Sequence, residues 1–306
     1  MHYSVMLNES INGLNIKDSG IYVDCTLGYA GHSQEILKKL KRGLLFAFDQ
    51  DRDAIAYSDQ VLKNISSNYT IIKSNFKNLK DELQKQGISG VDGILFDLGV
   101  SSPQLDTVER GFSYHNDAKL DMRMDMDSDF SAYNVVNEYP EAKLTDIIFR
   151  YGEEKYARSI ARNIVKRRQT KPIETTLELV DIIRSSMPSK EINKKHPGKK
   201  TFQAIRMEVN HELEVLESAL DQALELLNPG GRLVIITFHS LEDRMVKKKF
   251  KEVTDSDPVV RGLPNIPDKY KPKFKLVNTK VIIPSDKELE ENNRSHSSKL
   301  RIIEKI

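Results

Sequence analysis

Residues 24 to 33 read Asp24-Cys25-Thr26-Leu27-Gly28-Tyr29-Ala30-Gly31-His32-Ser33. Glycines at 28 and 31 let a backbone turn tightly and approach a ligand closely. A helix beginning after them offers free backbone N–H groups. Asp49 comes about 20 residues after Gly28, where an acid accepts hydrogen bonds from ribose hydroxyls. Asp97 closes another apolar run, at the edge where open α/β sheets bind ligands. The chemistry implied is the binding of a nucleoside cofactor. A dinucleotide wants G-x-G-x-x-G with its pyrophosphate over the helix start. Here position 30 is Ala and position 33 is Ser, so that fingerprint is incomplete. S-adenosylmethionine has no phosphate to cradle, and its ribose and positive sulfonium suit acids at strand ends. The pattern fits it better, with simple turn-and-cap roles as the structural alternative.

A second polar group follows the apolar run Leu233 to Phe238: His239, Ser240, Glu242, Asp243 and Arg244. It reads either as a helix start, with Ser240 as N-cap and Asp243 in a capping-box-like position, or as substrate machinery. In the second reading His239 or Glu242 orients a base and Arg244 a phosphate. Asp121 and Arg123 either pair with each other or face a ligand. Arg206 and Asn210 share one helix face, because residues four apart are neighbours there. His2 is a candidate to fold over the cofactor. His32, His115, His196, His211, His239 and His296 show no zinc spacing, so no structural metal is expected.

These residues need elements to hold them. Ile21 to Thr26, Gly43 to Phe48, Tyr69 to Lys73 and Val91 to Leu98 read as strands. Ser33 to Leu40, Asp53 to Leu62 and Leu79 to Gln86 alternate with them as helices, which implies a parallel sheet covered on both faces. From about Asp106 to Pro197 no strong strand appears. Ala142 to Arg150, Glu154 to Arg168 and Thr176 to Ser186 are helical there, and Ser189 to Lys200 is a polar, flexible return. A single long helix is expected from about Thr201 to Leu227, stopped by Asn228-Pro229-Gly230-Gly231. Arg232 to Phe238, Leu276 to Ile283 and Lys299 to Glu304 read as further strands. The expected organisation is one α/β domain from residues 1–105 and 198–306, with a helical substrate-recognition insertion at 106–197.

The chain has 306 residues, 39% hydrophobic and 30% charged, with one cysteine. A sizeable core can be buried. Cys25 alone excludes an intramolecular disulfide and a thiolate-rich metal site. No apolar run is long enough to cross a membrane as a helix, and no basic-then-apolar leader opens the chain; a cytoplasmic protein is expected. The net charge of +2 hides a strong segregation. Arg158, Arg162, Lys166, Arg167, Arg168 and Lys171 form one basic cluster. Lys190, Lys194, Lys195, Lys199 and Lys200 form a second, Arg244, Lys247, Lys248, Lys249 and Lys251 a third, and Lys269, Lys271, Lys273 and Lys275 a fourth. Each alone fits a solvated surface; together they suit a polyanion.

Several stretches, in order along nearly the whole chain, resemble the MraW-type methyltransferases, the small-subunit ribosomal RNA methyltransferase H family. They are Asp24 to Ser33, Asp97 to Asp106 (DLGVSSPQLD), Arg110 to Ser113, Leu120 to Met124, Tyr151 to Glu154, Thr201 to Arg206, Phe238 to Arg244 (FHSLEDR) and Ser297 to Arg301. The resemblance implies an S-adenosylmethionine-dependent, class I (Rossmann-like) fold with an inserted helical domain. It implies N4-methylation of a cytidine in the decoding region of 16S rRNA, within the small ribosomal subunit. It maps cofactor contacts to Ala30, Gly31, His32, Asp49, Phe76, Asp97 and Gln104, and leaves Asp97, His239, Glu242 and Arg244 as candidates for catalysis. Two positions depart from the family: Ala30 stands where it usually has Gly, and Gln50 where Arg is frequent. The chain also lacks the D/N/S-P-P-Y/F motif of many amino-methyltransferases, since Asp97 is followed by Leu98-Gly99-Val100. Methylation of DNA or a small molecule, or an assembly factor with a vestigial cofactor fold, are the competing readings. Oligomeric state stays open, a dimer being one option.

Overall fold

The computed structural model describes residues 4–192, 196–256, 258–260 and 267–306. His2, Lys194, Lys195 and the side chain of Lys269 lie outside the described residues. The chain forms two compact units, one from residues 1–99 and 214–306, the other from residues 100–213.

The first unit is built on seven strands: β1 (Ile21–Asp24), β2 (Leu44–Asp49), β3 (Tyr69–Lys73), β4 (Val91–Asp97), β5 (Leu227–Thr237), β6 (Phe274–Leu276) and β7 (Lys299–Lys305). They lie in the order β3-β2-β1-β4-β5-β7-β6. The first five are parallel, while β7 runs antiparallel to β5, and β6 to β7. This is the class I methyltransferase arrangement within the Rossmann-like α/β folds. The strand order reverses beside β1, between β1 and β4, which is where such sheets bind ligands.

Alternation along the strands feeds two cores. On β2, Phe46 and Phe48 face one side with Phe96, Ile235, Leu220 and Phe250. Leu45 and Ala47 face the other, with Leu95, Val234, Ile36 and Leu14. Tyr22 is buried on that second side, and its hydroxyl accepts from the Lys17 N–H at 2.8 Å. Gly93 is its register partner on β4, and a Cβ there would come within 2.7 Å of the Tyr22 ring.

The second unit is helical, with Ala132–Glu138, Glu141–Arg150, Ala157–Arg168, Thr176–Ser185 and Gly198–Val209 around Val135, Leu144, Ile148, Ile160, Ile183 and Ile205. It takes in residues 100–105 and 198–213, which the sequence assigned to the α/β part. Among the described residues, no helix is long and apolar enough to cross a membrane.

Four expectations are corrected. The long helix of residues 201–227 is two helices, Gly198–Val209 and Glu212–Leu226. Asn210 breaks it: its side chain donates to Arg206 O and Met122 O and accepts from Met124 N, and His211 turns left-handed at φ 51°. A side chain that bonds nearby backbone competes with the helix ladder. Asn228-Pro229-Gly230-Gly231 is not a separate stop but a bulge in β5, because the pairing jumps from Val91–Leu227 to Gly93–Arg232. Leu276 to Ile283 is not one strand; β6 ends at Leu276, and Ile282 makes an isolated bridge to Leu300. The helix expected from Glu154 starts at Ala157, since the Glu154 carboxylate accepts the Tyr156 N–H instead.

Gly93→Ala is expected to destabilise the protein by about 1–3 kcal/mol through overpacking against Tyr22. Urea unfolding of the two proteins checks it; an unchanged midpoint would show that the ring has room to move.

Candidate active site

Three acids end parallel strands of the first unit: Asp24 on β1, Asp49 on β2 and Asp97 on β4. Each has a different set of partners. Asp24 is buried and fully engaged, accepting from the Thr26 N–H (3.0 Å), the Thr26 hydroxyl (3.3 Å) and the Ser33 hydroxyl (2.7 Å). It ties the glycine loop to the helix Gly31–Lys39. Asp49 accepts the Gly28 N–H on Oδ2 and the Asp51 N–H on Oδ1, at 2.8 and 2.9 Å. Those bonds fix its carboxylate against the loop, with the remaining lone pairs available to a ligand. Burial pushes its pKa up to about 6, against the lowering effect of these N–H groups.

Asp97 is the unsettled member. Its backbone N–H donates to the Thr26 hydroxyl at 2.7 Å. Its Oδ1 is buried and has no hydrogen-bond partner among the described residues. Its Oδ2 lies 3.6 Å from His32 Nδ1. Burial pushes its pKa up to about 6; His32 opposes the rise, and Asp24, Glu242 and Glu288 add to it. His32 is itself buried, with Nε2 3.1 Å from the Val5 carbonyl. A carbonyl only accepts, so Nε2 carries a proton. Nδ1 stands beside Asp97 Oδ2 at a separation too long for a direct hydrogen bond.

Ala30 caps the Gly31–Lys39 helix in the left-handed conformation, at φ 62° and ψ 19°. The constraint at this position is in the backbone. Gly31 meets the N-terminal segment: a Cβ there would collide with Ser4. That segment is held by the Met6 N–H, which donates to Glu288 at 2.7 Å. Phe76 follows β3 and packs edge-on against Phe96, with centroids 5.3 Å apart.

His239, rather than Ser240, is the N-cap of the helix Ser240–Thr254. Its Nδ1 accepts the Glu242 N–H (3.4 Å), and the Glu242 carboxylate accepts the N–H groups of Phe238 (2.8 Å) and His239 (3.3 Å). His239 Nε2 stands 3.0 Å from Glu242 Oε1 yet is out of line for a hydrogen bond. Asp243 is drawn the other way, to Arg301 (2.8 Å) and Lys299 (3.2 Å), which depress its pKa despite burial and dock the helix on β7. Arg244 is exposed. The first turn of this helix is thus an interlocked cap whose carboxylate also bears on Asp97.

The other candidates belong to the second unit. Gln104 is buried and closes a capping box with Ser101 at the start of the helix Ser102–Asp106. Asp121 and Arg123 form a bidentate pair at 2.7 and 2.8 Å. Arg206 makes a bidentate pair with Glu212, again at 2.7 and 2.8 Å. All three arrangements fix local structure.

Sequence reasoning passed over Thr26, Ser33 and Glu288. The first two carry a signal, being short hydroxyl residues two and nine positions from the buried Asp24. Glu288 carries none, since its partner Met6 lies at the opposite end of the chain.

The group that fits these acids is a cation with a diol. Asp49 offers lone pairs to ribose hydroxyls, and the negative surplus around Asp97 suits a sulfonium. Ala30→Gly should stabilise the cofactor-free protein by about 0.5–1 kcal/mol, because glycine adopts positive φ without the Cβ penalty. Thermal unfolding reads this; a lower Tm for the glycine variant would mean that the loop is not strained.

The sequence profile of the MraW methylase family matches residues 1–306. The chain is 56% identical over 306 residues to the ribosomal RNA small subunit methyltransferase H of Exiguobacterium sibiricum, covering 100% of this chain and 98% of that protein. It is 53% identical over 311 residues to the protein of the same name from Lactobacillus delbrueckii subsp. bulgaricus, covering 100% and 99%. With its sheet order and strand-end acids, the chain belongs to the MraW methylase family and takes S-adenosylmethionine as its methyl donor.

Proposed function

We propose that this protein methylates the N4 amine of a cytidine in the decoding region of 16S ribosomal RNA, acting on the small ribosomal subunit. The relatives' names support ribosomal RNA of the small subunit as substrate. The family resemblance supports the base, the atom and the region. The observation that carries the chemistry is the buried Oδ1 of Asp97, which has no hydrogen-bond partner among the described residues, while Oδ2 lies 3.6 Å from His32 Nδ1.

Bound S-adenosylmethionine supplies an electrophilic methyl group on a sulfonium. The backbone of Ala30, Gly31 and His32 forms the loop along it. Asp49 would accept its ribose hydroxyls, and Phe76 would be a further contact to it, as the resemblance implies. Gln104 is retained as a cofactor contact by resemblance.

The cytosine N4 amine is a poor nucleophile, because its lone pair is delocalised into the ring. A carboxylate that accepts a hydrogen bond from that amine localises the lone pair and aligns it with the methyl group. Asp97 Oδ1 is the acceptor. Methyl transfer leaves an extra proton on N4, and Asp97 takes it up while Oδ2 faces His32 Nδ1. His239 and Glu242 position this acid through the helix cap, and Arg244 on the same helix meets a substrate phosphate.

The test is transfer of labelled methyl from S-adenosylmethionine to small subunits from cells lacking this protein, followed by nucleoside analysis. Label is expected in N4-methylcytidine. Label in another nucleoside would overturn the base assignment. Label only on DNA or a small molecule would overturn the substrate. Asp97→Asn should lower kcat by about 10²–10⁴-fold, the usual range for a proton-transfer group, with a smaller change in cofactor Kd. Full turnover by that variant would remove Asp97 from the chemistry.

A further inference from the structure

The helix Ala157–Arg168 of the second unit has the sequence ARSIARNIVKRR, with five cations and no acid. Its buried face is apolar: Ala157, Ile160, Ala161 and Ile164 enter the core. Arg158, Arg162, Lys166 and Arg167 are exposed. Among the described residues, the side chains of these four make no hydrogen bond or ion pair.

Their neighbours differ. Arg168 donates to the carbonyls of Val136 and Tyr139 at 2.7 Å each, closing the end of the preceding helix Ala132–Glu138. Lys171 pairs with Glu178 (3.1 Å), Lys155 with Glu191 (3.2 Å), Arg150 with Asp146 (3.3 Å) and Lys143 with Glu208 (3.4 Å). These four cations are compensated; those along the outer stripe of the helix are not.

The stripe is locally unfavourable. Arg158–Arg162 and Arg162–Lys166 are like-charge i,i+4 pairs, which destabilise a helix. Arg158 also sits in the first turn, against the positive end of the helix dipole. All three penalties vanish when an anion lies along the helix. The charges rise in steps of ~6 Å along the axis, a spacing suited to successive phosphates of one strand.

We infer that Arg158, Arg162 and Lys166, flanked by Arg167, form a phosphate ladder that binds the sugar–phosphate backbone of the substrate RNA. The ladder reads no bases; it adds affinity that depends on counterion release. This rests on the RNA reading above.

The experiment compares wild type with the triple variant Arg158→Gln, Lys166→Gln and Arg162→Gln. A second variant, Arg150→Gln with Lys171→Gln, removes paired cations of the same unit. Binding to unmethylated small subunits is measured across a salt series, together with methyl transfer and the thermal shift produced by S-adenosylmethionine. Losing three phosphate contacts should reduce the slope of log K against log salt by about 2, at ~0.7 per contact for a single strand. KM for the subunit should rise about 10-fold or more at 0.15 M salt on that slope, with the thermal shift unchanged. The paired-cation variant should keep the wild-type slope. If wild type binds and methylates but the triple variant keeps its slope, the ladder is overturned and the RNA reading stands. If wild type neither binds nor methylates RNA, the reading fails and the ladder with it. Loss of the thermal shift in the triple variant would assign these residues to folding instead.

Discussion

The Asp97 carboxylate ends a parallel strand with one oxygen buried and unpartnered, and with Asp24, Glu242 and Glu288 bearing on it. Keeping a charge in such a place is unfavourable unless a cation or a proton arrives. Much of the first unit is arranged around this constraint. Thr26 holds the Asp97 backbone while its own hydroxyl and N–H satisfy Asp24. His32 spans from the Val5 carbonyl to Asp97. Glu288 anchors the segment to which Val5 belongs. A cation bound among these groups would relieve that repulsion.

Asp49 shows a milder form of the same design. Its oxygens are engaged by backbone N–H groups, so burial raises its pKa without leaving it orphaned. Two acids with similar titration thus have different surroundings. Asp49 is directed by the loop, while Asp97 has an open oxygen, and the proposed ribose and amine contacts draw on that difference. The capped start of the helix Ser240–Thr254 belongs to this system, because Glu242 both closes the cap and faces Asp97.

The strands that place these acids were legible in the sequence. Gly43 to Phe48 and Val91 to Leu98 are apolar runs bounded by turn residues, and Asp49 and Asp97 fall at their carboxyl ends. Asp49 and Asp97 could be picked out by that position alone. Other features depend on partners distant in the chain. Asn210 breaks a well-patterned helix because Met122 and Met124 offer backbone groups to its side chain, which periodicity does not record. His239 displaces Ser240 as N-cap because its ring and Glu242 lock together, although Ser is the usual cap residue. At Ala30 the sequence showed a departure from glycine, but only the positive φ shows what that departure costs. Composition showed basic clusters; the structure separates Arg168, which holds a helix end, from Arg158, Arg162 and Lys166, whose side chains bond to nothing among the described residues.

Burial leaves Asp49 and Asp97 partly protonated near pH 6. In the empty protein both pKa values near 6 lie above the ordinary carboxylate value of 3.8, so each group is about half protonated at pH 6. A sulfonium and ribose hydroxyls favour the ionised forms, so binding must expel protons there and weaken as the pH falls through 6. Calorimetric titration of S-adenosylmethionine into the protein, in buffers of different ionisation enthalpy, measures this directly. The predicted result is release of roughly 0.5–1 proton per cofactor at pH 6 and almost none at pH 8. Binding at pH 6 with no proton release, or with uptake, would contradict the account.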